Sequence, residues 1–327
     1  MSPADVRPDA RAPSVPEPKA PARVSFILPA RNEERHVGNA IASIKQFCPP
    51  DLLAEIIVVD HGSTDATRAI AASAGAIVLT PRVSTIGSLR NEGAKIATGN
   101  VFVFLDADVT LTEAWAADAR DAINQLLAQP ALISGSNCDA PESSNWFLKY
   151  WFSEISRDHS ANSIGSAHML VTRSLFESLG GFDPRLRTGE DPDLCERAKQ
   201  IGGATEARPS LRVVHHGYPL TVRAFVRRER WHGGGDTTSL MRALSSRIVW
   251  MTAAFILLHV AFFVGLVVSL PLAAAAFGLL LAHLYVSARV RFTHLQRIPF
   301  TRVLPILYLY YFGRTLSFIH VRERGER

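Results

Sequence analysis

An α/β fold with a mostly parallel sheet, followed by a helical membrane segment, is what this 327-residue sequence predicts. Three observations carry the prediction. Short apolar runs alternate with helix-length segments from Val24 to Leu105. Polar clusters sit at the carboxyl ends of those runs. One stretch near the C-terminus, Ile248 to Ala288, holds no Asp, Glu, Lys or Arg over 41 positions. Strands alternating with helices favour parallel βαβ units, whose ligands bind beyond the carboxyl ends of the strands.

In chain order, residues 1–22 carry Pro3, Pro8, Pro13, Pro16, Pro18 and Pro21 among alanines and scattered charges. Such a stretch buries too little apolar surface to offset the entropy of ordering, and a disordered leader is expected. It offers no apolar core of a secretory signal peptide. Val24–Leu28 reads as a buried strand and Val37–Phe47 as a helix. Glu55–Val59 is a second strand ending on the polar turn Asp60–Asp65, and a helix follows to about Ala74. Ala76–Leu79 is a third strand and Ser88–Ala97 a short helix. Val101–Leu105 is the fourth strand and delivers Asp106 at its end. Ser163–Val171 reads as a strand with its approach, Leu194–Ile201 as a helix capped by Thr188–Asp191, and Leu211–Val214 as a further strand.

As one straight helix the uncharged run would measure roughly 60 Å, about twice the hydrocarbon thickness. Ser269-Leu270-Pro271 near its middle would break it into a transmembrane hairpin over 248–288. Arg242 and Arg247 precede the run, and Arg289 and Arg291 follow it, so both ends should face the cytoplasm. The competing reading is a pair of buried helices in a soluble domain. Residues 220–247 are basic with Phe225, Trp231 and Leu240 interspersed, and read as an interfacial segment. Within 289–327, Val303–Ile319 is interrupted by Arg314 and rich in tyrosine, and reads as an interfacial or re-entrant helix before the basic tail Arg322–Arg327.

The formal charge of +5 is unevenly placed. From Leu220 onward there are fourteen arginines and four acids, while the portion before it is net acidic. That split excludes a uniformly basic nucleic-acid binder, and 47% hydrophobic residues exclude a disordered chain. Cys48, Cys138 and Cys195 lie far apart with no C-x-x-C pair, against a thiol zinc site or disulfide framework and for a reducing compartment.

Asp106-Ala107-Asp108 directly after the fourth strand is the strongest chemical feature. Two carboxylates so spaced can grip a divalent metal, which in turn holds a diphosphate. A solvated acidic turn is the bland alternative. A sharper rival is the D-x-D-x-T phosphotransferase motif, with Asp106 as nucleophile, although that motif belongs on the first strand of its own fold.

Further clusters follow in order: Pro29-Ala30-Arg31-Asn32-Glu33, Asp60-His61-Gly62-Ser63-Thr64-Asp65, Arg90-Asn91-Glu92-Gly93, Gly181-Phe182-Asp183, Gly189-Glu190-Asp191-Pro192-Asp193 and Arg227-Arg228-Glu229-Arg230-Trp231. From about Val24 to Trp231 this series resembles the family 2 glycosyltransferases of the GT-A fold. His61 departs from the family's usual second Asp, and Arg227 from its commoner Gln.

The resemblance implies a Rossmann-like GT-A catalytic domain over 23–219. Pro29, Arg31 and Glu33 would line a nucleotide pocket, and Asp60 would accept a hydrogen bond from the base, typically uracil N3–H. His61 would point elsewhere. Arg90 would approach the nucleotide or its phosphates, unless it forms an ion pair on a helix surface. Asp106, in the nucleotide-sugar pocket, and Asp108 would hold Mg²⁺ or Mn²⁺, with His216 or His215 as a third ligand. Asp191 would be the catalytic base and Glu190 the fallback or an acceptor-orienting partner, unless the pair only caps a helix. His168 is expected to be structural. Arg227, Arg230 and Trp231 would meet the acceptor, or Trp231 would pack or anchor at the interface. Gly233-Gly234-Gly235 would hinge a closing loop.

The expected function is inverting, metal-dependent transfer from a nucleotide-diphosphate sugar, typically a UDP-sugar, to a membrane-held, lipid-linked saccharide. The setting would be exopolysaccharide or cell-envelope glycan synthesis on the cytoplasmic side of a bacterial inner membrane. The lipid bilayer is an expected partner and nucleic acid is not. Alternatives are a polyprenyl-phosphate sugar synthase, a phosphotransferase using Asp106, or a non-catalytic membrane protein keeping the fold.

Overall fold

A computed structural model describes residues 21–144, 146–148, 150–152, 163–219, 221–236, 240–292 and 299–318. The bulk of the expected leader and the tail Arg322–Arg327 lie outside the described residues.

The first half alternates as expected: β1 (Val24–Ala30), α1 (Val37–Phe47), β2 (Leu53–Asp60), α2 (Thr67–Ser73), β3 (Ile77–Leu79), α3 (Ile86–Ile96) and β4 (Val101–Leu105). Next come β5 (Val109–Leu111), α4 (Glu113–Ala128), β6 (Leu132–Gly135), the single turn α5 (Trp146–Leu148), β7 (His168–Thr172), α6 (Arg173–Ser178), α7 (Glu190–Gln200), β8 (Ala204–Ala207) and β9 (Val213–His215). Seven strands form one sheet in the order β3-β2-β1-β4-β7-β6-β8. β7 runs antiparallel to both neighbours, and the other pairings are parallel.

β1 and β4 are buried along their whole length, as strands covered on both faces must be. The period of two sends Phe26 and Leu28 to one face, with Ile41, Ile44, Trp115 and Ile123 of α1 and α4. Ile27, Phe102 and Phe104 go to the other, with Leu89, Phe176, Phe182 and Leu194.

The strand read with its approach over Ser163–Val171 is β7, with residues 163–167 as the approach. Two details differ from the sequence reading. The strand expected at Leu211–Val214 is β9, which leaves the main sheet to pair with β5. The helix expected from Leu194 starts at Glu190, launched by Gly189 in the left-handed region at φ 79°.

His168 is structural. Its Nε2 accepts from the Trp115 indole at 2.9 Å, so its Nδ1 carries the proton and donates to Ser136 Oγ at 2.9 Å. The Ser136 hydroxyl passes on to the Leu211 carbonyl. Burial pushes the imidazole down to about 3, so it stays neutral.

The C-terminal part is helical: α8 (Val222–Asp236), α9 (Leu240–Ser245), α10 (Arg247–Val268), α11 (Leu270–Arg291) and α12 (Phe300–Ser317). α10 and α11 break at Ser269, where the sequence placed the break, and each is long and apolar enough to cross a membrane. Leu257, Phe263, Val267, Leu270 and Leu279 on these two helices are exposed, the reverse of a buried core pair. α12 buries Val303, Ile306, Leu307, Tyr310 and Tyr311. Its Arg314 meets the buried Glu229 of α8 at 3.3 Å. The Gly233–Gly235 hinge is corrected: α8 runs helical through all three. A Cβ on Gly233 would lie 2.5 Å from Ser317 Oγ, so this glycine serves close helix packing.

Candidate active site

The loop after β1 and the turn after β2 are tied together by polar contacts. Asn32, with φ 58°, adopts the left-handed conformation that Asn tolerates. Its N–H donates to Ser63 Oγ and its side-chain oxygen accepts from Thr64 N, both at 2.9 Å, while Glu33 N donates to Thr67 Oγ1 at 2.7 Å. These bonds shape a cavity of about 280 Å³ lined by Pro29, Arg31, Glu33, Asp106 and Asp108, together with His61, Ile86 and Leu89. His61, expected to point elsewhere, therefore faces the cavity. Its ring is held by Nε2 at 2.9 Å from the Val83 carbonyl, which fixes the proton on Nε2. Asp60 is fully buried. One carboxylate oxygen accepts from Ser63 N at 2.9 Å, and Oδ1 is buried with no hydrogen-bond partner among the described residues.

Asp106 and Asp108 follow β4, and β9 brings His215 to them. One ligand atom from each of these three residues lies within 4.8 Å of the others. His216 is the first residue of the turn after β9 and is held elsewhere. Its Nε2 sits 2.9 Å from Thr110 Oγ1 and its ring stacks at 6.2 Å on His36. Of the two histidines the sequence left open, the geometry groups His215 with the acids.

These residues fit a divalent cation. Among the described residues His215 Nδ1 is buried without a hydrogen bond, at 3.6 Å from Asp108 Oδ2. Gly217 leaves the space beside Asp108 clear, since a Cβ there would come within 1.8 Å of Oδ2. Two carboxylates and an imidazole are a donor set such ions accept. The cavity is also rich in negative charge. Burial pushes Asp108 above its usual range, with His215 opposing and Asp106 adding. Burial, then the charges of Asp108, Asp106 and Asp65, push Glu33 up to about 7.

α3 carries the next residue inward. Arg90 is buried, and its guanidinium donates to Asp106 Oδ1 at 2.7 Å and Glu190 Oε1 at 2.8 Å. It is neither a surface ion pair nor part of the cavity lining; it bridges the D-x-D end of β4 to the first turn of α7. Glu190 is buried and also accepts from Ser166 Oγ at 3.3 Å. Asp191 accepts from Ser166 N at 3.2 Å. Burial, with Glu190 adding, pushes Asp191 up to about 6, against Ser166 N–H and Arg90. Asn91 donates to the Phe182 carbonyl and accepts from Phe182 N, at 2.8 and 2.9 Å. That pair of bonds is why the Arg90-Asn91 and Gly181-Phe182 motifs travel together.

Arg227, Arg230 and Trp231 lie on α8, whose inner face packs against α12, and none of them lines the cavity. Trp231 is 55% exposed, Arg227 exposed and Arg230 half-buried. The sequence reading missed Gly217 and Tyr218, although both follow directly in the run His215-His216-Gly217-Tyr218.

A parallel-sheet domain with paired acids at the carboxyl end of a central strand, a cavity beside them and a carboxylate-led helix opposite defines a GT-A type of glycosyltransferase domain. Residues 25–177 match the family model described as glycosyl transferase family 2, and the chain carries a domain of that family. A pre-mycofactocin glycosyltransferase of Mycobacterium tuberculosis is 25% identical over 236 residues, 67% of this chain and 48% of that protein. A 4,4'-diaponeurosporenoate glycosyltransferase of Staphylococcus aureus is 35% identical over 112 residues, 32% of this chain and 28% of its own length. The chain thus spans about half, or less, of the curated relatives it matches. A mannosyltransferase from Pyrobaculum calidifontis, solved with GDP-Man and Mn²⁺, shares the fold with a TM-score of 0.59 at 20% identity. That match covers 94% of this chain and 90% of the other. The phosphotransferase reading of Asp106 falls with these findings: β4 follows three strand–helix units, and Arg90 holds the carboxylate.

Proposed function

We propose that the chain transfers a sugar, with inversion, from a nucleoside-diphosphate sugar to an acceptor held near a bilayer. The observation that carries this reading is the Arg90 bridge, which sets the acids of the cavity beside the carboxylates at the start of α7. Pro29, Arg31 and Glu33 bound the donor cavity. Asp60 Oδ1, without a hydrogen-bond partner among the described residues, would accept one N–H of the base, as uracil N3–H would supply, and a UDP-sugar is the expected donor. Mg²⁺ or Mn²⁺, held by Asp106, Asp108 and His215, would supply charge to offset that developing on the diphosphate.

Asp191 takes the proton of the acceptor hydroxyl as its oxygen bonds to the anomeric carbon and the bond to the diphosphate oxygen breaks. Attack from the face opposite the leaving group inverts the configuration. Glu190 is tied to Arg90 and the Ser166 hydroxyl, whereas Asp191 accepts the Ser166 backbone N–H. With its carboxyl raised to about 6, Asp191 can hold a proton transiently near neutral pH.

The outward apolar faces of α10 and α11 and the flanking Arg242, Arg247, Arg289 and Arg291 support a membrane hairpin over 248–288. The catalytic unit, 23–219, then sits on the cytoplasmic side of a bacterial inner membrane. Segments 220–247 and 289–327 lie along the surface, and Arg227, Arg230 and Trp231 meet a lipid-linked saccharide destined for exopolysaccharide or envelope glycan. Two spans are few for threading a polymer, which favours single additions.

The test incubates membranes containing the protein with a panel of nucleotide sugars and follows nucleoside diphosphate release, with and without lipid extract. Release with one donor, raised by lipid and lost in Asp191→Asn while donor binding persists, is expected. Release that survives in Asp191→Asn refutes the mechanism, and release indifferent to lipid refutes the acceptor class. Phosphate against diphosphate lipids in the same assay separate polyprenyl phosphate from a lipid-linked saccharide.

A further inference from the structure

Histidine ligands are usually oriented by a hydrogen bond to the ring nitrogen that does not face the metal. Among the described residues, neither nitrogen of His215 has such a bond, yet the plane of its ring is set. Tyr218 lies flat on it, with ring centroids 4.2 Å apart and planes 4° from parallel. Phe152 lies on Tyr218 in turn, at 3.8 Å and 11°. Two rings this close cannot share one face of the phenol, so the three form a continuous stack. Phe152 is buried, with the Arg228 guanidinium of α8 5.0 Å from its centroid. Arg228 bonds the buried Glu229 at 2.8 Å, and Arg314 of α12 meets the same carboxylate. The phenol hydroxyl donates to the Cys138 carbonyl at 3.1 Å, which pins the middle ring. Tyr218 folds back over His215, only three residues before it, and Gly217 between them keeps that space clear, since a Cβ there would lie 3.3 Å from His215 Cε1.

We infer that Tyr218, backed by Phe152, is a positioning residue for the cation site: it holds the His215 imidazole in the plane in which Nδ1 faces Asp106 and Asp108. The assignment rests on the metal-dependent reading above. It adds that the orienting group is a stacked ring in place of a hydrogen bond, and that its outer support comes from α8.

The experiment titrates the full chain in detergent with Mn²⁺ alone. Paramagnetic resonance counts the free ion, and spin-echo modulation detects an imidazole nitrogen on the bound one. Tyr218→Leu should weaken Mn²⁺ binding by about 10-fold or more, the usual cost of losing a ligand's orienting partner, and should diminish the nitrogen signature. Tyr218→Phe, which keeps the ring and loses the hydroxyl, should restore affinity close to that of the unmutated chain. Unchanged affinity and nitrogen coupling in Tyr218→Leu would overturn the inference. So would a loss in Tyr218→Phe as large as in Tyr218→Leu, which would assign the effect to the bond to Cys138. Should Tyr218→Leu fail to fold, Phe152→Leu thins the stack while leaving Tyr218 in place, and carries the same expectation and refutation. Absence of Mn²⁺ binding by the unmutated chain would instead remove the metal reading itself, before any variant is compared.

Discussion

Replacing Arg90 with Met keeps most of the side-chain volume and removes the charge that two carboxylates share. Arg90 is 1% exposed, Glu190 8% and Asp106 26%. Glu190 is therefore the partner stranded in the interior, and breaking a buried pair in this way costs about 3–5 kcal/mol. Asp106 is open enough for water to take over, and adds little. For a domain of 150–250 residues each kcal/mol moves Tm by about 2–4 °C, so Arg90→Met should lower it by about 6–20 °C. Adding Glu190→Gln removes the stranded charge, and the double variant should recover part of the loss. Thermal unfolding of the full chain in detergent, across the four members of the cycle, reads both quantities. An Arg90→Met Tm within about 1 °C of the unmutated chain, or effects that simply add, would refute the bridge as the element joining β4 to α7.

Two further predictions concern the site chemistry. Asp191 can act as base only when unprotonated, so turnover should fall as pH drops through about 6, by about tenfold per unit below it. A rate that stays flat from about pH 5 to 8 would exclude Asp191 from the rate-limiting proton transfer. Gly217→Ala would set a methyl 1.8 Å from Asp108 Oδ2 at an exposed position. Calorimetry should find Mn²⁺ binding lost with Tm nearly unchanged, and retained binding would count against the assigned cation site.

The first four strands were legible because β1, β2 and β4 are runs of Val, Ile, Leu and Phe bounded by polar turns. β8 was not: Ala204-Thr205-Glu206-Ala207 carries no apolar run, and it is a strand only because β6 offers it an edge. The acids of the site could be read from local order, since Asp106 and Asp108 follow the apolar run of β4 and Glu190 and Asp191 follow Gly189 at the start of α7. Their partnerships could not be. Arg90 meets Glu190 across 100 positions of sequence, and no local pattern says that its guanidinium will be spent on carboxylates and not on a phosphate. The choice between His215 and His216 likewise depended on where β9 ends: His215 closes the strand beside the acids, and His216 begins the turn that leaves it. His61 faces the cavity because the Val83 carbonyl, 22 positions away, holds its ring. Gly233–Gly235 read as a hinge because three glycines are locally permissive, and the close approach of α12 overrides that preference.

The reversed strand in the sheet bears on how such an enzyme can change its acceptor. Where all strands run alike, only the loops that leave them reach the binding edge. β7 runs the other way, so here the segment entering the strand reaches that edge, and its Ser166 touches both Glu190 and Asp191. The donor cavity is furnished by exits from β1, β2 and β4, drawn from a separate part of the chain. The residues that enter β7 around Ser166 can thus change with no edit to those exits, while Cys138 and Phe152, earlier in the same connection, stay tied to the cation site through Tyr218. One strand's polarity separates what the enzyme gives from what it gives it to, and lets the two diverge independently.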